Sequence, residues 1–209
     1  EDGSAVLAIT LSSALSGTYQ SAIIARQALP DRRIEVIDSK SASGMYGMMA
    51  ILAQEMADQG KSLAEIAASV KRMSENAVTV FCVDTLDYLA RNGRIGKAAH
   101  FLGTLLNMKP VLSLDKEGYV TALERVRGKE KDRVIRRMVE ITKEWLAGED
   151  EIYLGISHAN APNEAAVLKE QAQSAFRVAR LFETEIGAVI RTHTGPGTLA
   201  VFAIPVRCL

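Results

Sequence analysis

Charge of one sign is what this sequence most plainly lacks, because its 25 lysines and arginines are matched by 25 aspartates and glutamates. A chain without net charge has no global field to draw a polyanion, so a nucleic-acid partner would need a strong local patch. Cysteine is scarce too. Cys82 lies in an apolar run and Cys208 beside the C-terminus, too few and too differently placed for a disulfide framework, which favours a reducing compartment. No apolar run approaches the roughly 18 residues needed to span a bilayer, and no charged segment followed by an apolar one opens the chain as an export signal would. The expectation is a soluble, cytoplasmic protein. Repeats and low-complexity linkers are also missing, so any two folding units should pack closely rather than swing as beads.

What is present is an ordinary globular composition over 209 residues, enough for one large core or two modest ones. The first third alternates strand and helix: residues 5–11 extended, 18–29 helical, 33–38 extended and 41–59 helical, the rhythm of a parallel α/β sheet. Ser62-Leu63-Ala64-Glu65 reads as a capping box opening a third helix, with Leu63, Ile66, Val70 and Met73 on one face. Residues 77–83 follow as another buried strand of this first unit. Gly93, Gly96 and Gly103 break residues 85–107 into short helices or turns, a connector. Residues 109–114 and 119–126 flank Asp115-Lys116-Glu117-Gly118, a hairpin turn by composition. The second unit then runs through a helix at 129–146, a strand at 151–157, a helix at 162–176 and extended segments at 177–183 and 198–206. The expected architecture is a parallel α/β domain with connector over residues 1–108, followed by an α+β domain over 109–209.

Three segments carry candidate chemistry. Leu11-Ser12-Ser13-Ala14-Leu15-Ser16-Gly17-Thr18-Tyr19 is a serine-rich loop that ends a buried strand and feeds a helix. Ligands of open α/β sheets bind beyond the carboxyl ends of strands, and helix N-terminal N–H groups with adjacent hydroxyls suit an anion. Serines before helices also serve simply as caps. Thr192-His193-Thr194-Gly195-Pro196-Gly197-Thr198 sets a histidine among turn residues, where it can donate a hydrogen bond or titrate. In Leu86-Asp87-Tyr88-Leu89-Ala90-Arg91-Asn92-Gly93-Arg94-Ile95, an αL-type cap ends a short helix and Arg94 emerges just after it, placed for a charge-assisted bond to an anion. A loop histidine and a solvated arginine are the plainer readings of the last two.

Taken together, Ser-Ser-Ala-Leu-Ser-Gly-Thr-Tyr-Gln at 12–20, Val-Ile-Asp-Ser-Lys at 36–40, Leu-x-x-Leu-x-x-x-Gly-Arg-Ile at 86–95 and His-Thr-Gly-Pro-Gly at 193–197 resemble the DegV family in order and context. Asn107-Met108-Lys109-Pro110 and Ser157-His158-Ala159-Asn160 extend the similarity over nearly the whole chain. The resemblance implies two α/β domains with a long-chain fatty acid threaded into a tunnel, and no other cofactor. Its carboxylate would be held by Ser16, Arg94 and His193, with Gly17, Thr18 and Thr194 in support. It further implies a non-catalytic carrier that presents the fatty acid to a fatty acid kinase, with Arg127 at the family position for kinase docking. Arg127 lies in a stretch, residues 125–137, with seven basic and two acidic residues, although a solvated helix face explains such a stretch as well. Asn92 stands where the family often has a second glycine, and asparagine tolerates αL geometry. The family's other carboxylate ligand, a threonine in a Thr-Ser-Gln-Pro-like motif before the serine loop, has no counterpart here. With a buried-type strand starting at the fifth residue, that gap leads to the expectation that these 209 residues are part of a longer polypeptide or sit beside a separate N-terminal fragment.

Met45, Met48, Met49 and Met56 fall on one expected helix. Their flexible thioethers suit either a tunnel for varied acyl chains or a plain core. Two other functions compete. Ser16 and His193 could serve as nucleophile and base of an esterase or acyltransferase, but no Gly-x-Ser-x-Gly elbow and no motif-placed acid support them. The basic stretch could touch nucleic acid, but it has no interleaved aromatic platform.

Overall fold

Short apolar strands joined by helices wide enough to cross back over a sheet give two sheets with helices between and outside them. The computed structural model describes residues 4–103, 107–128 and 131–209. Strands β1 (Val6–Thr10) and β2 (Ile34–Asp38) pair in parallel, Val6 opposite Ile34 and Thr10 opposite Asp38. Parallel neighbours need a crossover, and helix α1 (Thr18–Gln27) supplies it. Helices α2 (Gly44–Asp58) and α3 (Leu63–Asn76) then fill the space between this pair and the larger sheet. The capping box at the start of α3 is formed: Ser62 Oγ accepts from the Glu65 N–H at 3.3 Å while Glu65 Oε2 accepts from the Ser62 N–H at 2.8 Å. Ile66, Val70 and Met73 are buried on the inner face of α3. All four methionines of α2 are core residues, none more than 5% exposed, and none borders the cavity described below.

Among the described residues, the larger sheet has six strands in the order β5-β4-β3-β8-β6-β7. They are β3 (Val78–Cys82), β4 (Met108–Leu114), β5 (Val120–Arg127), β6 (Ile152–His158), β7 (Val178–Glu185) and β8 (Leu199–Pro205). Only β6 and β7 run parallel among these neighbours. Helices α5 (Lys131–Trp145) and α6 (Pro162–Ala175) cover one face, α2 and α3 the other. Because side chains alternate along a strand, Phe81, Ala200, Phe202 and Ile204 enter the α2/α3 core while Val80, Cys82, Val201 and Ala203 enter the α5/α6 core. The mixed α/β architecture of two packed units is therefore present, and β4 and β5 form the expected hairpin.

Two placements differ from the sequence reading. Strand β3, expected in the parallel sheet of the first unit, lies antiparallel between β4 and β8 in the larger one. Its apolar residues on both faces mark a strand covered on both sides, but periodicity does not say in which sheet. The segment around His193, expected as a turn, is the last turn of a short helix, α7 (Ala188–Thr194). Seven residues rich in β-branched side chains give neither a helical period nor a strong propensity. Of the helix expected at 129–146, residues 129 and 130 lie outside the described residues, as do 104–106 of the connector, which otherwise forms α4 (Asp87–Arg91) and a 3-10 turn (Gly96–Phe101).

Candidate functional site

The serine loop leaves the carboxyl end of β1 and is pinned from three sides. Ser12, fully buried, donates from Oγ to the Gly118 carbonyl at 3.0 Å and accepts from the Ala14 N–H at 3.2 Å. Gly118 is required there: its φ is +88°, and a Cβ would sit 2.1 Å from Ser12 Oγ. The Ser13 N–H donates to Asp38 Oδ1 at the end of β2. At the far end of the loop, Ser16 Oγ lies 2.8 Å from Thr18 Oγ1 and accepts from the Thr18 N–H at 3.3 Å. Ser16 thus helps start α1 and also faces a cavity.

Arg94 follows α4 and closes over the same loop. Its Nε donates to the Leu15 carbonyl at 3.2 Å and its Nη1 to the Asn92 carbonyl at 2.8 Å. Both partners are neutral, so the guanidinium charge has no carboxylate beside it among the described residues. Gly93 carries the αL conformation of the turn, φ +67°. Asn92 does not, with φ −95° and ψ 6°, so the αL rationale for an asparagine at this position fails.

Helix α7 brings His193 to the same place. Its Nδ1 is buried without a hydrogen-bond partner. Desolvation, followed by the charge of Arg94, pushes the imidazole below its ordinary pKa of 6.5. The helix ends at Gly195, whose φ of 79° and ψ of 172° lie in a region open to glycine alone. The Tyr88 ring of α4 packs on that glycine, and Thr198 Oγ1 donates to the Gly195 and Thr194 carbonyls.

These three segments, distant in sequence, meet at one cavity of about 200 Å³. Ser16, Thr18, Arg94, His193 and Thr194 all border it, whereas Gly17 does not. The rest of the wall is mainly apolar, with Leu15, Phe81, Leu89, Val120, Ile190 and Phe202 among its residues. An arginine without a carboxylate beside it and the unpaired Nδ1 of His193, set in a mainly apolar wall, suit a ligand with one anionic end and an apolar body. Arg127 is remote from this cavity: Val120 at the start of β5 lines it, and Arg127 is seven residues further along the strand, roughly 23 Å away. Ser43 was not singled out from the sequence, yet it borders the cavity with φ 57° and makes no capping bond to α2. A serine before a helix reads as a cap, which hid it. No group of three or more metal-ligating side chains occurs among the described residues, and none of their helices is long and apolar enough to cross a membrane.

The sequence profile of the DegV family, described as uncharacterised proteins, matches residues 1–206. A DegV domain-containing protein of Streptococcus pyogenes serotype M1 is 37% identical over 204 residues, covering 96% of this chain and 70% of the relative. Among solved structures, a DegV family protein from Thermus thermophilus, described by its fatty acid binding, is 38% identical with a TM-score of 0.90, over 97% of this chain and 71% of that one. A DegV lipid-binding protein from Thermotoga maritima is 28% identical with a TM-score of 0.85, over 96% and 69%.

Proposed function

As the chain belongs to the DegV family, we propose that it binds a long-chain fatty acid, with the carboxylate held by Ser16, Arg94 and His193 and the acyl chain in the apolar cavity. The observation that carries this reading is the partnerless, buried Nδ1 of His193, set beside an arginine without a counterion at the edge of an apolar space. A carboxylate there would accept from the guanidinium, the imidazole and the Ser16 hydroxyl at once, and charge-assisted bonds of that kind are the strong ones. Fatty acid binding by the Thermus thermophilus relative supports the ligand class. On this reading the protein is a carrier in the cytoplasm. It presents the carboxylate to a fatty acid kinase, which phosphorylates it to an acyl phosphate for lipid synthesis. Arg127, exposed and away from the cavity, is the contact assigned to that kinase.

The hydrolase reading is weaker on geometry. Burial, followed by the Arg94 cation, lowers the basicity of His193, where a serine hydrolase places a carboxylate that raises it. Native mass spectrometry of the purified chain, followed by denaturation and lipid identification, tests the ligand, and a fatty acid is the expected release. Lipid-free protein that also fails to take up added palmitate would sink the proposal. Turnover of an activated ester that disappears in Ser16→Ala would favour the hydrolase. For the partner, Arg127→Ala should slow phosphorylation of bound fatty acid while leaving its binding intact.

A further inference from the structure

Asn92 stands between the arginine and histidine arms of the site, and its backbone gives no reason for an asparagine. It closes α4 at φ −95° and ψ 6°, a conformation open to most residues, while Gly93 takes the left-handed turn. Its side chain is where the specificity lies. Nδ2 donates to the Tyr88 carbonyl at 2.9 Å, one turn back in α4, and to the Thr192 carbonyl at 3.1 Å, in α7. Its own carbonyl accepts from Arg94 Nη1 at 2.8 Å. Thr192 is the residue before His193. One residue therefore grips the guanidinium through its main chain and the histidine helix through its amide. Both amide protons are used, and no other residue type of this length offers two donors from one neutral nitrogen.

The rest of α7 is held at its two ends. Tyr88 packs on Gly195 at one, and Arg191 reaches the Ile186 carbonyl and Glu185 at the other. Between them, the hydrogen bond from Asn92 joins α7 to the segment that carries Arg94.

We propose that Asn92 is a positioning residue of the anion site, fixing the His193 helix against the Arg94 turn so that imidazole and guanidinium point at one ligand oxygen pair. The role of the site as a fatty acid clamp rests on the function proposed above, whereas the coupling of α4 to α7 does not. Two substitutions separate bridging from simple capping. Asn92→Gly removes both side-chain bonds. Asn92→Ser can still bond back to the Tyr88 carbonyl, as serines do one turn along a helix, but is too short to reach α7.

The direct readout is the His193 imidazole followed by NMR through a pH titration of lipid-free protein. Arg94 is the charge that faces this ring from the α4 side. The serine loop presents the hydroxyls of Ser16 and Thr18, and Arg191 on the same helix is turned to Glu185. Both variants should move the His193 midpoint up toward the ordinary histidine value as α7 loosens, the ring gains solvent and its distance from Arg94 grows. Palmitate retention, measured by equilibrium dialysis, should weaken roughly fivefold in each, the loss of about one net hydrogen bond. Unchanged His193 titration in Asn92→Ser would overturn the proposal and leave Asn92 as a helix cap only. Should Asn92→Gly fail to fold, the serine variant still decides. If the wild type itself retains no palmitate, the fatty acid reading falls, and the NMR titration alone still tests the bridge.

Discussion

Replacing Gly195 by alanine is the sharpest single test of how the site is built, because two separate costs meet at one atom. The backbone there, φ 79° and ψ 172°, excludes side chains and costs an alanine about 1–3 kcal/mol. The new Cβ would also stand 2.4 Å from Cδ2 and 2.6 Å from Cε2 of the Tyr88 ring. Ordinary carbon contacts begin near ~3.5 Å, so the ring must retreat by about an ångström. Tyr88 is 39% exposed and has solvent to retreat into, which puts this overlap at the low end of overpacking, about 1 kcal/mol. The sum, about 2–4 kcal/mol, corresponds to a Tm lower by roughly 4–16 °C for a chain of this size. Thermal and urea unfolding of Gly195→Ala, Tyr88→Ala and the double variant would separate the terms. The double variant should recover about 1 kcal/mol relative to additivity, since the ring that collides is gone while the strained backbone remains. A Gly195→Ala protein within ~0.5 kcal/mol of wild type, the range of neutral surface changes, would refute the reasoning.

Ser16→Ala and His193→Ala should each weaken fatty acid retention by about 1–3 kcal/mol without unfolding the chain, because each removes a donor to a buried anion; unchanged retention in both removes them from the site. His193 should also make folding stability fall with acid. Its folded pKa lies below the ordinary 6.5, so the unfolded chain binds the extra proton, and stability present above pH 6.5 is lost as pH falls toward the folded value. His193→Ala should flatten that part of a urea-midpoint against pH curve. A carboxylate seated beside the ring raises its pKa, so binding should take up protons near neutral pH, seen by calorimetry in buffers of different ionisation enthalpy. Ser62→Ala should cost about 1 kcal/mol through the α3 capping box, read as a lower urea midpoint at unchanged slope.

The sequence revealed most where one local rule decides the outcome. The capping box at Ser62 and Glu65, the hairpin turn at residues 115–118 and the helix with its burst of methionines each follow from a few adjacent residues. Strand β3 shows the limit: apolar residues on both its faces announce a central strand, while its partners, β4 and β8, are chosen by packing far along the chain. Helix α7 was hidden because Val189, Ile190, Thr192 and Thr194 are poor helix formers that hold the conformation through tertiary contacts with α4. Ser16, Arg94 and His193 stood out singly as residues able to meet an anion. Their convergence came from family resemblance, since no periodicity links positions so far apart. Asn92 was noticed for its backbone, when its side chain is what the structure uses.

The hydrogen bonds that assemble the site have a kinetic meaning. Ser12 reaches Gly118 across 106 residues, Arg94 reaches Leu15 across 79, and Asn92 reaches Thr192 across 100. Each contact closes a long loop whose entropy is lost before the bond rewards it, so all three should form late in folding. They should form after the sheets that flank them have found their partners. Ligand binding in a refolding chain should accordingly lag behind the sheet signal, and a chain still emerging from synthesis has no site until α7 and the turn after it are complete. The capacity to hold a ligand then reports that the whole fold has closed.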